Sequence, residues 1–171
     1  MAKKKRRRAK DVKAIGEFVI AFSQLEYVIR VVFQLMLGLA SEQAEIVLAN
    51  YDFAALCRAM GAFVRTLPEK DELALKRFDK LINECLRINT ERVRLVHGTW
   101  HIVGGAVHLS RNTFKSAEYF ATYEDLMKLI EAMNDAFEEF ATIMLDRDGK
   151  WGPIVKYLHD EKTIGQGHSQ S

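Results

Sequence analysis

The feature that most constrains the fold is a long apolar stretch, residues 18–40, that closely follows a run of basic residues. A basic start before an apolar run is also typical of a signal peptide or a membrane span. Here polar or small residues recur every three or four positions, which places them in one stripe of a helix; they are Ser23, Glu26, Arg30, Gln34, Gly38 and Ser41. A charge near the centre of a membrane-spanning helix costs about 2.5–3.5 kcal/mol, and this stretch holds two. We therefore expect a helix of a soluble protein that has no membrane partner.

The same helix is apolar on nearly every side. One set of side chains can face a core: Ile15, Phe18, Phe22, Leu25, Ile29, Val32, Leu35 and Met36. A second set is left to be covered by something else: Val19, Val28, Val31 and Leu39. Either this is the central helix of a bundle, or its second side is a subunit interface. The second alternative predicts a homodimer.

The net charge of +2 hides a strong asymmetry along the 171 residues. Residues 1–13 hold eight basic side chains and one acid, so this segment carries +7 and the remainder −5. A flexible basic run binds phosphates with little sequence preference and strong salt dependence. It could equally contact an acidic partner or raise solubility. We predict a disordered basic tail over residues 1–10 that binds nucleic acid through Lys3, Lys4, Lys5, Arg6, Arg7 and Arg8.

Length and composition predict one domain with a helical core. The chain has 49% apolar residues and only two prolines, so it can form a core and is poor in the turns of an all-β domain. Cys57 and Cys85 both fall in helical stretches, which favours reduced core thiols in a cytoplasmic protein. We predict a single helical domain over residues 11–159 and a disordered C-terminal tail over 160–171.

Helix signals and apolar spacing predict an all-α bundle of about five helices. Ser41 and Asp52 are N-cap candidates, and Gly98 is a natural end for the long helix before it. Beyond the first helix, the predicted helices span residues 41–50, 52–67, 71–97 and 122–145, the last opened by a capping box from Thr122 to Asp125. The long helix turns inward Leu73, Phe78, Leu81, Ile82, Cys85, Leu86 and Ile88.

One small β-hairpin is predicted near residues 100–109. Gly104-Gly105 supplies the positive φ angles that a two-residue turn demands. Such a turn places Ile102 opposite Val107 and His101 opposite His108.

The most informative segment is Asn89–Trp100, at the end of the long helix. Its motif is Arg92-Val-Arg-Leu-Val-His97, followed by Gly-Thr-Trp. An arginine and a histidine at this spacing and in this position resemble the R-x4-6-H motif of HEPN domains. The early segment Phe22-Ser-Gln-Leu-Glu26 and the order of long helices extend the resemblance over most of residues 11–146.

The resemblance implies a helical bundle that commonly dimerises, with the arginines and histidines of both protomers around one cleft. Many HEPN proteins are metal-independent endoribonucleases of toxin–antitoxin and other defence systems. It thus implies RNA as substrate, an antitoxin or regulatory protein as partner, and no cofactor or metal. His97 would be the general acid or base at the ribose 2′-hydroxyl or the leaving oxygen, and Arg92 would bind the scissile phosphate. Glu26 would help to orient them, and Arg94 would add a phosphate contact.

One departure from the family pattern leaves a second function open. The position after the motif arginine is usually polar in the nuclease members, and here it is Val93. HEPN domains without a full polar motif are often non-catalytic interaction modules. The sequence therefore leaves ribonuclease and binding module as alternatives.

Structural roles also remain open for each candidate residue. His97 could interact with the last carbonyls of its helix, and Arg92 could lie on a solvated surface. Glu26 precedes Arg30 by four residues, the favourable order for an ion pair on a helix. The spacing of His97, His101 and His108 suggests zinc, but the break at Gly98 and the lack of a fourth ligand argue against a metal site.

Overall fold

The computed structural model describes the backbone of residues 2–67, 71–97, 99–100, 106–109, 116–120 and 123–145. Side chains are described for residues 10, 12–67, 71–97 and 123–145. Within these ranges the protein is an all-α bundle of five helices, with three short strands between the fourth and the fifth. The helices are α1 (Ala2–Met36), α2 (Ser41–Leu48), α3 (Phe53–Val64), α4 (Glu72–His97) and α5 (Tyr123–Leu145). The end of the predicted domain, residues 146–159, and the predicted tail over 160–171 lie outside the described residues.

The basic N-terminal segment differs from its prediction. Helix α1 begins at Ala2, so residues 2–10, which we predicted to be a disordered tail, form its first part. Ala, Lys and Arg are among the strongest helix formers, and the first glycine or proline of the chain is Gly16. The basic charge is therefore carried on a helical backbone that continues into the core helix.

The core side of α1 is buried as predicted. Phe18, Phe22, Leu25, Ile29, Val32 and Met36 are all buried, while Ile15 and Leu35 are half-buried. The four residues of the predicted second side lie in different environments. Val28 is buried in the core, Val31 and Leu39 are half-buried, and Val19 is 54% exposed. Helix α1 is thus the central helix of the bundle and still presents an apolar surface.

By length and composition, the Val12–Met36 section of α1 could cross a membrane, although 44% of its most apolar window is buried inside the fold. The sharply bent pair α2 and α3 passes the same test together. A core helix of a soluble protein passes this test too, so it is weak evidence for a membrane span.

The other helices close the core against α1 and α5. Helix α3 buries Phe53, Leu56, Cys57, Met60 and Val64, and α4 buries Phe78, Leu81, Ile82, Cys85 and Ile88. The predicted position of Leu73 is wrong, because its side chain is 57% exposed and Ala74 is buried in its place. Leu73 lies about 100° around α4 from Ala74, which precedes Phe78 by four residues and continues the buried line.

Helix ends follow the capping rules with one exception. Asp52 accepts a hydrogen bond from the Ala55 N–H at 2.7 Å and so caps α3 as predicted. The predicted N-cap of α2 is wrong: Ser41 is the first helical residue, and Gln43 accepts from the Ala40 N–H at 3.0 Å. At the end of α1, Gly38 takes a left-handed φ of 63°, which a glycine adopts without strain.

The three strands are β1 (Thr99–Trp100), β2 (Ala106–Leu109) and β3 (Ser116–Phe120), in the sheet order β1-β2-β3. β1 pairs antiparallel with β2, and Thr99 lies opposite Val107. The predicted register is wrong, since it placed Ile102 opposite Val107. Trp100 lies opposite Ala106, so the strands pair three residues away from the register that a two-residue turn at Gly104-Gly105 would give. The Gly104-Gly105 turn itself lies outside the described residues.

Candidate functional site

The side chain of Arg92 lies between α4 and the first helix. It is half-buried, and its guanidinium carbon lies over the ring of Phe22, 5.3 Å from the ring centroid. Phe22 is itself buried, and its centroid is 4.8 Å from that of Phe53 at the start of α3. A cation over an aromatic face is attracted by the ring quadrupole, and a packed ring cannot move away. The Phe22 ring therefore fixes where the guanidinium lies.

Arg92 differs from its neighbours in having no carboxylate partner among the described residues. Arg87 forms two hydrogen bonds to Glu84, at 2.6 and 2.9 Å, and Arg94 forms one to Glu91 at 2.6 Å. Within the described part of the chain, Arg92 makes neither an ion pair nor a hydrogen bond. None of the described residues therefore competes with an anion for its five N–H donors.

The structure places Arg94 in a local ion pair. Its guanidinium and the Glu91 carboxylate, three residues earlier, are 35% and 21% exposed. Contact with a phosphate would require Arg94 to share its charge with Glu91. Arg94 is therefore a weaker anion ligand than Arg92.

His97 is the last residue of α4, and its side chain is exposed. Each helical residue turns by about 100° and rises by about 1.5 Å, so Arg92 and His97 lie about 140° apart around α4 and about 7.5 Å apart along it. Within one chain, the helix therefore does not aim both side chains at one point. A site that uses both groups on one phosphate is completed most simply by a second protomer.

Glu26 is engaged in a structural contact. Its Oε1 accepts a hydrogen bond from Arg30 at 2.9 Å. Arg30 also donates to the Leu48 carbonyl at 2.8 Å and to the Tyr51 carbonyl at 3.0 Å. Glu26 thus orients the arginine that ties α1 to the end of α2, and the ion-pair interpretation of its sequence position is confirmed.

Two exposed valines flank the motif. Val93 and Val96 are 37% and 52% exposed. Val93 precedes His97 by four residues, so the two share one side of α4. The surface around the histidine is therefore partly apolar.

The acid–base properties of this part of α4 follow from its ion pairs. The hydrogen bonds from Arg87 hold the pKa of Glu84 below its usual value, although partial burial opposes this shift. The same contact raises the pKa of Arg87. Both groups remain charged at neutral pH, so this pair adds no net charge beside Arg92.

The contact between the Phe22 ring and the Arg92 guanidinium was not predicted from the sequence. Phe22 was assigned to the core because of its apolar spacing, and that assignment is correct. The signal that could have suggested its second role is its place in the segment from Phe22 to Glu26, which is part of the resemblance to HEPN domains.

A separate cavity of about 390 Å³ lies between α4 and α5, lined by side chains of both charge signs such as Lys80, Glu84 and Asp135. It includes none of the motif residues.

Among the described residues there is no group of three His, Cys, Asp or Glu side chains that could hold a metal. The side chains of Lys3 to Arg8 and those of His101 and His108 lie outside the described residues.

Comparisons with protein-family models, with curated proteins and with solved structures gave no match to this chain.

Proposed function

We propose that this protein is a HEPN-like, metal-independent endoribonuclease, which cuts RNA in the cytoplasm within the cleft of a homodimer. The observation that carries the proposal is the burial and the contacts of the Arg92 side chain. Its guanidinium is half-buried, stacked on Phe22 and without a carboxylate partner among the described residues. A desolvated cation without a protein anion is costly unless a ligand supplies one.

The chemistry of Arg92 suits a phosphodiester. A guanidinium has N–H groups along its edge that can donate two parallel hydrogen bonds to phosphate oxygens, and the contact with the Phe22 ring does not use a hydrogen-bond acceptor. The same donors stabilise the charge that builds up on phosphorus oxygens in the transition state. Arg92 would thus both bind the substrate and stabilise the transition state.

The bond changes need one proton acceptor and one donor. The ribose 2′-oxygen attacks phosphorus as its proton leaves to a base, and the bond from phosphorus to the 5′-oxygen breaks as that oxygen receives a proton. The products are a 2′,3′-cyclic phosphate and a 5′-hydroxyl. Imidazole can serve in both roles. We assign the role of proton acceptor to His97, with Arg92 of one protomer acting beside His97 of the partner subunit, while the leaving 5′-oxygen takes its proton from solvent water.

The basic segment would attract the substrate. The rest of the chain carries −5, so general attraction of RNA falls to residues 3–8 of α1. The contact should weaken steeply with salt. An antitoxin or regulatory protein would then act by covering this segment or the Arg92 site.

A cleavage assay tests the proposal. Purified protein is incubated with a labelled RNA in EDTA beside the variants Arg92→Ala and His97→Ala. The matched control is Arg58→Ala, which removes an exposed arginine of α3. We expect losses of about 100-fold or more in both motif variants, since a transition-state donor or a general acid–base each contributes about that much. Cleavage that is absent in the wild type, or equal in all four proteins, would contradict the nuclease.

The second candidate function is a non-catalytic interaction module of the same kind. The observation that favours it is Val93, whose exposed apolar side chain lies next to Arg92 and on the side of His97. Such a module would bind RNA through Arg92 without cutting it. Retained, salt-sensitive RNA binding that Arg92→Ala weakens, together with intact RNA after long incubation, would select this alternative.

A further inference from the structure

Helix α1 carries an exposed apolar stripe on the side away from its core contacts. Four of its side chains are 54–69% exposed, and the other two positions are small. All six fall within about 100° of the helix circumference, over a length of about 22 Å. The stripe consists of Val12, Gly16, Val19, Ile20, Ser23 and Tyr27. It holds no charged residue, so it is suited to an apolar partner.

We propose that this stripe binds the same stripe of a second copy of the chain, with the two α1 helices antiparallel. This inference rests on the proposed function, which requires a dimer, and it names the surface that forms the dimer. It commits to a two-fold, self-complementary contact, the commonest kind of homodimer interface.

The spacing of the stripe is symmetric, which favours an antiparallel pair. In an antiparallel pair centred between Val19 and Ile20, residue n of one helix lies opposite residue 39 − n of the other. Each of the six stripe residues then lies opposite another stripe residue. Small residues then face each other, and the largest side chain faces a valine: Val12 opposite Tyr27, Gly16 opposite Ser23, and Val19 opposite Ile20. A Cβ atom at Gly16 would meet nothing within 4 Å in the single chain, so there is room for a partner there.

Charge favours the same arrangement. In an antiparallel pair, the basic residues 3–8 of one copy point towards the C-terminal end of the other's α1. Beyond Tyr27 that side of α1 is covered by its own α2, since Arg30 donates to the Leu48 and Tyr51 carbonyls, so the basic segment would pass over α2. Glu42 and Glu45 are exposed there. A parallel pair would instead bring the two +7 segments together, where like charges repel.

The arrangement also bears on the Arg92 site. A two-fold axis perpendicular to the helix pair keeps the same side of each α1 on the same side of the dimer. Phe22 lies opposite residue 17 of the partner helix, so the two Phe22 residues are offset by about 7.5 Å along the paired helices. Both Arg92 guanidinium groups, which stack on these rings, would open onto one surface of the dimer.

The first test is the mass of the native protein by light scattering at micromolar concentration. We expect twice the 19.6 kDa of the chain. Ile20→Glu should raise the dimer dissociation constant at least about tenfold, because two charges enter an apolar contact. The matched control is Ile46→Glu, which changes a 75% exposed isoleucine of α2 outside the stripe and should leave the dimer intact. A monomeric wild type, or equal dimerisation of both variants, would overturn the inference.

A cross-link tests the direction of the helices without destabilising the dimer. The double variant Gly16→Cys, Ser23→Cys should form an intermolecular disulfide under mild oxidation, since these positions face each other. Ser23→Cys alone should react poorly in an antiparallel pair and readily in a parallel one. The native thiols are fully buried, so the wild type provides the background. Efficient cross-linking of the single variant would overturn the antiparallel arrangement.

These outcomes separate the inference from the proposed function. If the dimer forms through the stripe but Arg92→Ala leaves RNA cleavage unchanged, the inference stands and the nuclease fails. If Ile20→Glu stays dimeric and active, the inference fails and the nuclease stands. Flotation with vesicles of phosphatidylcholine and phosphatidylserine provides a further outcome. Wild-type binding that Ile20→Glu abolishes would assign the stripe to a membrane surface and overturn the dimer.

Discussion

Replacing Arg30 by alanine should destabilise the fold much more than replacing Glu26, although the two side chains form one ion pair. Arg30 donates to two main-chain carbonyls, those of Leu48 and Tyr51, at the end of α2 and just beyond it. Among the described residues, Glu26 has one polar contact, the hydrogen bond from Arg30 at 2.9 Å. The loss of Arg30 therefore disconnects α1 from α2, whereas the loss of Glu26 leaves that connection in place.

The magnitudes follow from the number of bonds and their exposure. A hydrogen bond to a charged group contributes about 1.5–3 kcal/mol, and Arg30 is 31% exposed, which favours the lower values. Two such bonds give about 3 kcal/mol for Arg30→Ala. Glu26→Ala removes a partly solvated i,i+4 pair, for which about 0.5 kcal/mol is expected.

Urea unfolding followed by circular dichroism at the helix band measures both changes. All variants are compared at one protein concentration, because dimerisation would shift apparent stability. Arg58→Ala is the surface control. A Glu26→Ala loss as large as that of Arg30→Ala, or an Arg30→Ala variant as stable as the wild type, would refute the assigned contacts. Glu26→Ala also distinguishes a structural role of Glu26 from a role in catalysis, because the loss of a structural contact should leave RNA cleavage nearly unchanged.

Three further predictions concern the caps, the core and the thiols. Asp52→Ala should lower the free energy of unfolding by about 1 kcal/mol, because the 2.7 Å cap bond to the Ala55 N–H is lost; an unchanged urea midpoint would contradict this. Phe140→Ala should cost about 3–5 kcal/mol in the same assay, since that ring is fully buried against Phe78, and a loss below 1 kcal/mol would be inconsistent with it. A hydrogen bond with the Cys57 thiol and burial both raise the pKa of Cys85. Above pH 9.0, its ordinary value, the unfolded thiol ionises first, so stability should fall by about 1.4 kcal/mol per pH unit in the wild type and less in Cys85→Ala. Equal slopes would contradict the raised pKa.

Helix positions were predictable because apolar spacing and capping residues act locally. Phe18, Leu25 and Ile29 recur at helical spacing and are buried, and Asp52 caps the helix that it was expected to open. Leu73 was assigned inward by its apolar character and is exposed, whereas Ala74, four residues before Phe78, is buried. At the start of a helix, the i, i+4 spacing from a core residue is therefore a better guide to burial than apolar character alone.

The strand register failed for a different reason. Gly104-Gly105 fits a two-residue turn, which would place Ile102 opposite Val107, but Thr99 lies there. The third strand, Ser116–Phe120, was not predicted, and its pairing with β2 adds a constraint on where β2 can lie. Contacts from a later segment can therefore change a register that local turn preferences favour.

The residues of the candidate site could be identified from the sequence, but their contacts in three dimensions could not all be predicted. The motif named Arg92 and His97, and the ion pair of Glu26 with Arg30 followed from their spacing. The stacking of Arg92 on Phe22 joins residues 70 positions apart, and no local pattern specifies such a contact. The separation of Arg92 and His97 around α4, by contrast, follows from the predicted helix over residues 71–97, which the structure confirms as far as His97.

The measurement that tests the central claim most directly is complementation between two inactive variants. Arg92→Ala and His97→Ala proteins are assayed for RNA cleavage separately and after mixing under conditions that exchange subunits. If Arg92 of one protomer works with His97 of the partner subunit, half of the randomly mixed dimers regain one of their two sites, and about a quarter of the wild-type rate should return. A mixture that exchanges subunits and stays inactive would contradict the shared site.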